Sequence, residues 1–291
     1  MNVLKGSAAV AGLAVSLILT VTPQATAEKP SRLFGTTGAC NNATPGAPCT
    51  QRSTLVELDP RTGALVREIG PVGYTVNGLA WDRSSKRLYA STAIGDVTFH
   101  GLITIDPQTG AGTPVNASVG NFGLAGPASP IHSITLDSRG NMAAWYDEFP
   151  PPLTVTDTYV TIDPHTGIAS EHPNTGINTS QNGLSFDEDD RLWNIDAPSS
   201  KSIGAPPTQT AYQLRPTDGT VLRGVPIATP TPAALGDFSP DTGLYYGLEF
   251  EPFSATKATF IEAVNVRTGT LTTLGQTVDD LHTLAFAKKV K

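Results

Sequence analysis

The sequence predicts an all-β protein built from five copies of a four-stranded unit, and three observations lead to this prediction. A strand-like segment ending in Asp-Pro-x-Thr-Gly finishes at Gly63, Gly110 and Gly167, and degenerate copies finish at Gly219 and Gly269. These glycines lie about 50 residues apart, a spacing typical of radial or stacked repeats. The chain is rich in turn formers, with 28 Gly and 24 Pro, and after residue 27 no segment of helical length shows a helical apolar period.

The clearest repeat contains four short segments, which we label a to d in chain order. They read NGLAWD (77–82), RLYAST (87–92), LITID (102–106) and GTPV (112–115). Short β-rich runs at this spacing, separated by turn residues, predict a barrel, a sandwich or a propeller. Helices should therefore be nearly absent.

The fifth unit is divided between the two ends of the chain. Its a segment is 281–287, whereas its b, c and d segments are 32–37, 55–58 and 64–69. Pairing strands from opposite ends closes a ring and protects the last sheet edges. An open solenoid would more often carry atypical caps at both ends. The sequence thus predicts a five-bladed β-propeller with four-stranded blades, the last closed by a C-terminal inner strand plus three N-terminal strands.

The first 27 residues have the pattern of a cleaved export signal. Lys5 precedes an apolar run of 14 residues, 8–21, and an Ala-x-Ala site predicts cleavage between Ala27 and Glu28. The alternative is a membrane anchor, but the run is shorter than the roughly 20 residues that span a bilayer. We expect one propeller domain over 28–291 and a secreted or periplasmic location, with no membrane attachment after cleavage.

Charge and cysteine content limit the partners further. The formal net charge of -7 argues against nucleic acids and anionic membrane surfaces, which favour basic patches. The two cysteines, Cys40 and Cys49, are close in sequence, and in an exported chain such a pair predicts a local disulfide. A metal site at these cysteines is less favoured, because no second cysteine pair or nearby histidine completes it.

The pattern NGLAWD…RLYAST…LITIDPQTG resembles blades of NHL, SMP-30/gluconolactonase-like and YVTN-type propellers, over essentially residues 32–287. The resemblance implies that segment a is innermost and lines the central channel, and that segment d is outermost. The best-known relatives have six or seven blades, so the predicted count of five is a departure.

Connection lengths distinguish the two ends of the blades. The a–b and c–d connections are short and lie at one end, the bottom face, where Asp-Pro-x-Thr-Gly is interpreted as hairpin chemistry rather than a calcium or capping site. The b–c and d–a connections are longer and lie at the opposite end, the top face. Long loops on a rigid scaffold are where binding and catalysis usually reside.

Aligning the five a segments predicts a polar ring at the top of the channel. Asn77, His132, Asn182, Ala234 and His282 take one equivalent position. Imidazole and amide groups are plausible ligands for one divalent metal ion. A polar rim that binds water and a site for an organic ligand are the alternatives.

Carboxylates accompany this ring. Asp147, Asp196 and Glu249 fall at the upper ends of b segments, where solvation is the common explanation. Asp237 instead occupies an a segment that should be buried, so it needs a partner. His132, His282 and Asp237 are the candidates for a general base and its orienting group.

Two functions remain open. The sequence contains no Gly-x-Ser-x-Gly, His-Glu-x-x-His, P-loop or dinucleotide fingerprint. We favour a monomeric binding propeller whose top-face loops take an unknown small molecule or protein. The alternative is a metal-dependent hydrolase or lyase, similar to SMP-30-like or streptogramin-lyase-like enzymes, with the metal on Asn77, His132, Asn182 and His282. Whether the chain is an enzyme is left open at this point.

Overall fold

The structure, a computed structural model, describes residues 31–38, 51–93, 96, 98–125, 131–147, 157–172, 182–196, 209–227, 234–250 and 258–287. The side chains of Asp147, Asp157, Asn182, Asp196, Ala234 and Phe250 are outside this description. The predicted export signal at 1–27 and the predicted Cys40–Cys49 disulfide also lie outside it. Within the described ranges, no helix is long and apolar enough to cross a membrane.

The described residues form five antiparallel sheets of four strands each, as predicted. The strands are β1 (Arg32–Thr37), β2 (Thr54–Leu58), β3 (Leu65–Pro71), β4 (Val76–Asp82), β5 (Arg87–Thr92), β6 (Leu102–Ile105), β7 (Gly112–Pro114), β8 (Ile131–Leu136), β9 (Met142–Asp147), β10 (Asp157–Ile162), β11 (Ala169–Glu171), β12 (Asn182–Phe186), β13 (Leu192–Asp196), β14 (Gln209–Leu214), β15 (Val221–Ile227), β16 (Ala234–Phe238), β17 (Tyr245–Phe250), β18 (Thr259–Asn265), β19 (Thr270–Gln276) and β20 (Leu281–Ala287). Among these residues, the one helical element is a 3-10 turn at Asn121–Gly123.

We number the sheets as blades in chain order. Blades 1 to 4 are β4–β7, β8–β11, β12–β15 and β16–β19, and blade 5 has the strand order β20-β1-β2-β3. The predicted closure is confirmed: β20 pairs with β1, with Phe286 opposite Leu33 and Ala287 opposite Arg32. The two ends of the chain are therefore held together by a strand ladder, and the ring of blades is closed.

The core lies between neighbouring blades, because successive side chains of a strand point to opposite faces of its sheet. In β9, Met142 and Ala144 pack toward blade 1, whereas Ala143 and Trp145 pack toward blade 3. Trp193 likewise packs toward blade 4. The aromatic residues of these b strands therefore serve packing between blades: Trp145 and Trp193 are fully buried and Tyr146 is 4% exposed.

The recurring Asp-Pro-x-Thr-Gly motif forms hairpin turns, as interpreted from the sequence. Asp106 Oδ1 accepts the backbone N–H of Gln108 at 2.7 Å, and the Gly110 N–H donates to the Asp106 carbonyl at 2.8 Å. Gly110 has φ +83°, a backbone conformation that glycine adopts without strain. Equivalent turns begin at Asp59, Asp163, Arg215 and Asn265. The motif therefore shapes the bottom face.

Candidate functional site

The predicted polar ring coincides with a repeated irregularity at the top of the inner strands. In β4, Val76 pairs with Thr92 and Gly78 with Ser91, so Asn77 is the extra residue of a β-bulge. His132 is the extra residue of the same bulge in β8, and His282 in β20. A bulge bends its strand and re-aims the side chain that it carries. The predicted equivalence of these three residues is thus confirmed by strand register.

The other two blades differ from the sequence alignment. Asn182 begins β12 in regular register opposite Asp196, with no bulge. In β16 the register shift falls between Ala234 and Asp237, which places the bulge at Leu235–Gly236, later than the aligned position. Leu235 has φ +53°, a left-handed backbone conformation that is uncommon for residues other than glycine. Blade 4 therefore presents a leucine next to the axis.

His132 and His282 are brought close enough to interact electrostatically. Desolvation lowers the pKa of His282 to about 3, and the charge of His132 acts in the same direction. His282 is therefore a neutral imidazole at physiological pH, which is the form that accepts a hydrogen bond or binds a metal. Asn77, the third member of the ring, is 5% exposed.

The axis below this ring is nearly filled. A cavity of about 10 Å³ is lined by all five inner strands, including His132, Leu184, Leu235 and Thr283. Such a volume holds about one water molecule. Gly78 permits the tight approach of blades 1 and 2, because a Cβ there would lie 3.0 Å from the carbonyl oxygen of His132. The top mouth is therefore a depression with a floor.

The bottom end of the axis is braced across three blades. Arg83 of blade 1 donates to Asp190 of blade 3 at 3.0 Å, and the Ser138 N–H of blade 2 donates to the same carboxylate oxygen at 2.8 Å. The Arg83 side chain is 12% exposed. Because blades 1 and 3 are not neighbours, this bridge must cross the region near the axis.

Asp237 has the partners that its burial requires. The residue is 7% exposed. Its Oδ1 accepts the Ser185 hydroxyl at 2.6 Å and the Phe238 N–H at 2.8 Å, and its Oδ2 accepts the Phe286 N–H at 2.8 Å. Both oxygens are thus engaged in links between blades 3, 4 and 5. Asp237 fits a structural role better than the candidate catalytic role suggested by the sequence.

The Asp237 link belongs to a series around the axis. The equivalent residue of blade 2, Thr135, accepts the Phe186 N–H of blade 3 at 3.1 Å. In blade 3, Ser185 accepts the Phe238 N–H of blade 4 at 3.3 Å. In three successive blades, a polar side chain therefore satisfies a backbone donor of the next inner strand. Neighbouring inner strands belong to different sheets, so side chains make these connections.

Of the carboxylates predicted on the top face, the structure describes the side chain of one, Glu249 of β17, which is partly exposed.

Glu249 lies beside Glu262 of β18, a residue that sequence reasoning missed. Glu262 is 1% exposed; its Oε1 accepts the Thr273 hydroxyl at 2.9 Å, and its Oε2 is buried with no hydrogen-bond donor. The sequence signal that could have identified Glu262 is an acidic residue within the otherwise apolar run 260–264. Burial raises the pKa of Glu262 to about 7, opposed by Thr273 and assisted by Glu249.

Glu262 should make stability depend on pH. The pKa of this carboxyl is higher in the folded than in the unfolded chain, so folding retains a proton that the unfolded chain releases above its ordinary pKa of 4.5. Stability should therefore fall as pH rises from about 4.5 to 7, by about 1–2 kcal/mol after allowance for solvent screening. Denaturant titrations of wild type and Glu262→Gln at pH 5 and pH 8 would measure this.

The glutamine variant should lose most of that pH dependence and be the more stable protein at pH 8. Glu68→Gln is the matched control, since Glu68 is exposed on β3 and should leave the dependence unchanged. An identical pH slope in wild type and Glu262→Gln would contradict the assignment.

The fold and the bulged ring define a five-bladed β-propeller with a candidate site at the top mouth of its axis. No family model matches the sequence, and no curated protein matches it. Solved structures with a similar fold include a gluconolactonase from Xanthomonas campestris, at 15% identity and TM-score 0.44 over 84% of this chain and 78% of that one. TolB from Acinetobacter baumannii is 12% identical, with TM-score 0.48 over 86% of this chain. A protein from Lactobacillus plantarum is 13% identical, with TM-score 0.41 over 86% of this chain and 67% of that one.

This chain spans 54% of the length of that TolB structure. At identities of 12–15%, the similarity concerns the fold and leaves the activity of this chain open.

Proposed function

We propose that this chain is an exported binding propeller that takes its ligand at the top mouth of the axis. The observation that carries the proposal is the shared bulge, which places Asn77, His132 and His282 at the same irregular position of the inner strand in three different blades. Bulges interrupt ladder hydrogen bonds and recur next to functional sites. Export, cleavage after Ala27 and a Cys40–Cys49 disulfide belong to the same proposal and rest on the sequence pattern.

The chemistry of the mouth favours a polar ligand. A neutral imidazole and a carboxamide offer both hydrogen-bond donors and acceptors without fixed charge. The cavity of about 10 Å³ beneath them is too small for an organic molecule, so the ligand rests on the mouth. A small polar molecule, or a polar side chain of a partner protein, meets these conditions.

A metal-dependent hydrolase or lyase is the second candidate, and the electrostatic contact between His132 and His282 favours it. The two imidazoles with the Asn77 carboxamide would hold a divalent transition metal and leave coordination positions open, and a bound metal would supply a Lewis acid. Blade 4 presents Leu235 at the axis, and both oxygens of Asp237 are engaged in hydrogen bonds between blades. We therefore favour binding over catalysis.

Elemental analysis of the purified protein, together with the double variant His132→Ala/His282→Ala, separates the two functions. We expect wild type without stoichiometric metal and with a melting temperature that ignores added Zn²⁺ or Mg²⁺. In a thermal-shift panel of sugars, amino acids and nucleosides, at least one class should stabilise wild type. The double variant should bind the stabilising compound with at least tenfold lower apparent affinity.

His172→Ala is the histidine-matched control, because His172 bonds to Thr161 in blade 2 and lies outside the mouth. It should leave ligand binding unchanged. One metal per chain in wild type, lost in the double variant and retained in the control, would overturn binding in favour of the enzyme. A double variant that keeps full ligand affinity would contradict both functions at this mouth.

A further inference from the structure

A second cavity opens on the bottom face, between blades 2 and 3. Its volume is about 960 Å³, and it is lined by turn residues at 137–141, 163–168 and 216–217. Ala143, Thr161 and Phe186 contribute from the strands. Pockets for drug-sized organic molecules usually measure about 300–1,000 Å³. This cleft faces away from the top mouth and shares no residue with it.

The cleft lies where one blade lacks an aromatic ring that the other four possess. In each blade, one b-strand residue lies opposite the last aromatic residue or leucine of the a strand, and the residue after it points to the following blade. That next residue is Phe34, Tyr89, Trp193 or Tyr246 in blades 5, 1, 3 and 4, and it is Ala143 in blade 2. The four aromatic residues are at most 4% exposed.

Each of these aromatic rings packs in the cluster shared with the following blade. Ala143 occupies the corresponding cluster between blades 2 and 3, where Trp145 and Tyr159 fill the space above it. Ala143 and Phe186 line the floor of the cleft, and each is 2% exposed. The cavity therefore lies over the one interblade position that has alanine in place of an aromatic ring.

The walls of the cleft are fixed by contacts between the two blades. The Tyr159 hydroxyl of blade 2 donates to the Pro216 carbonyl of blade 3 at 2.7 Å, which holds the blade 3 turn in place. Phe186, which is 2% exposed, forms an apolar wall. Ile168 lines the rim and is 46% exposed, so it adds apolar surface to the entrance of the cleft.

The charges on the rim are unequal. Asp137 accepts two hydrogen bonds from the Arg139 guanidinium, at 3.2 and 3.1 Å, so these two charges offset each other. Asp163 is exposed, and the backbone N–H of His165 lowers the pKa of its carboxyl, which stays ionised at neutral pH. The net charge on the rim at neutral pH is therefore negative.

We propose that this cleft is a binding site for a small organic molecule with a planar aromatic ring, which stacks on the apolar floor of the cleft and against Ile168 at its rim. A positively charged substituent on that molecule is favoured by the Asp163 carboxylate at the rim. Aromatic amines are the chemical class that meets both conditions. The site is independent of the function proposed for the top mouth.

Titration calorimetry with tryptamine, indole and indole-3-acetate tests the ring and its charge. We expect wild type to bind tryptamine most tightly, indole more weakly and indole-3-acetate weakest. Ala143→Tyr adds a large side chain at the floor of the cleft, so it should lower tryptamine affinity at least tenfold. Ala64→Tyr, at an exposed alanine of blade 5, should leave this affinity as in wild type.

Two further variants keep the test informative if Ala143→Tyr folds poorly. Ala143→Leu adds a smaller group and should lower affinity by an intermediate factor. Asp163→Asn should weaken tryptamine binding severalfold and leave indole binding unchanged. The proposal would be overturned by wild type that binds none of the three probes, or by Ala143→Tyr and Ala143→Leu proteins that bind like wild type. Tighter binding of indole-3-acetate than tryptamine would overturn the assignment of charge.

Discussion

Ending the chain after Asp280 is expected to abolish cooperative folding of the whole propeller. The deletion removes β20, whose Leu281, Leu284 and Phe286 are each at most 2% exposed. It also leaves β1 as an unpaired inner edge and opens the ring between blades 4 and 1, which favours association with other chains. Thermal unfolding followed by circular dichroism, with size-exclusion chromatography, should show a broad or absent transition and oligomers.

Ending the chain after Ala287 is the control, because all of β20 is retained, and this protein should unfold like the full chain. A synthetic peptide of residues 278–291, added to the chain that ends at Asp280, should restore a cooperative transition. A chain ending at Asp280 that melted sharply at the temperature of the full protein would show that ring closure contributes little.

Replacing Asp237 by alanine is the second large effect that we expect, with the free energy of unfolding lowered by about 3–5 kcal/mol. The carboxylate accepts three hydrogen bonds at 2.6–2.8 Å, two of them from backbone N–H groups of Phe238 and Phe286. Hydrogen bonds to a charged acceptor contribute about 1.5–3 kcal/mol each, and a buried donor left without an acceptor costs about 1–3 kcal/mol. Urea unfolding would measure the difference.

Two milder variants calibrate this result. Asp237→Asn keeps one acceptor oxygen and the side-chain volume, so its loss should be smaller than that of alanine. Thr135→Val removes the single equivalent link from blade 2 to Phe186 and should lower stability by about 1–2 kcal/mol. A loss below about 1 kcal/mol in Asp237→Ala would contradict the role of this carboxylate as a link between blades.

Repetition explains why so much of the fold could be predicted from the sequence. Each unit repeats one local pattern, so an ambiguous copy such as the turn at Gly269 is identified by the clear copies at Gly110 and Gly167. Ring closure follows from complementary fractions of one unit at 281–287 and 32–69. Alignment of the repeats also placed Asn77, His132 and His282 together, because a shared strand position becomes a shared position around the axis.

The features that could not be predicted depend on strand register and on contacts between blades. The bulge at Leu235–Gly236 follows from the register of β16 against β17, which no local pattern in that segment indicates. The local sequence does not show that Glu262 is buried, and its burial between blades is visible only in three dimensions. The gap at Ala143 needs the exact pairing of each b strand, since a shift of one residue would reverse the face to which the side chain points.

The closed axis gives blade 2 a particular position in the molecule. With a floor beneath the top mouth and a brace at the bottom, solutes at the two faces are kept apart along the axis. Communication between the faces would have to pass through the strands themselves. Blade 2 carries His132 at the upper end of β8 and Ala143 near the lower end of β9, which is hydrogen-bonded to β8. A tilt of this single sheet would therefore move His132 and Ala143 together.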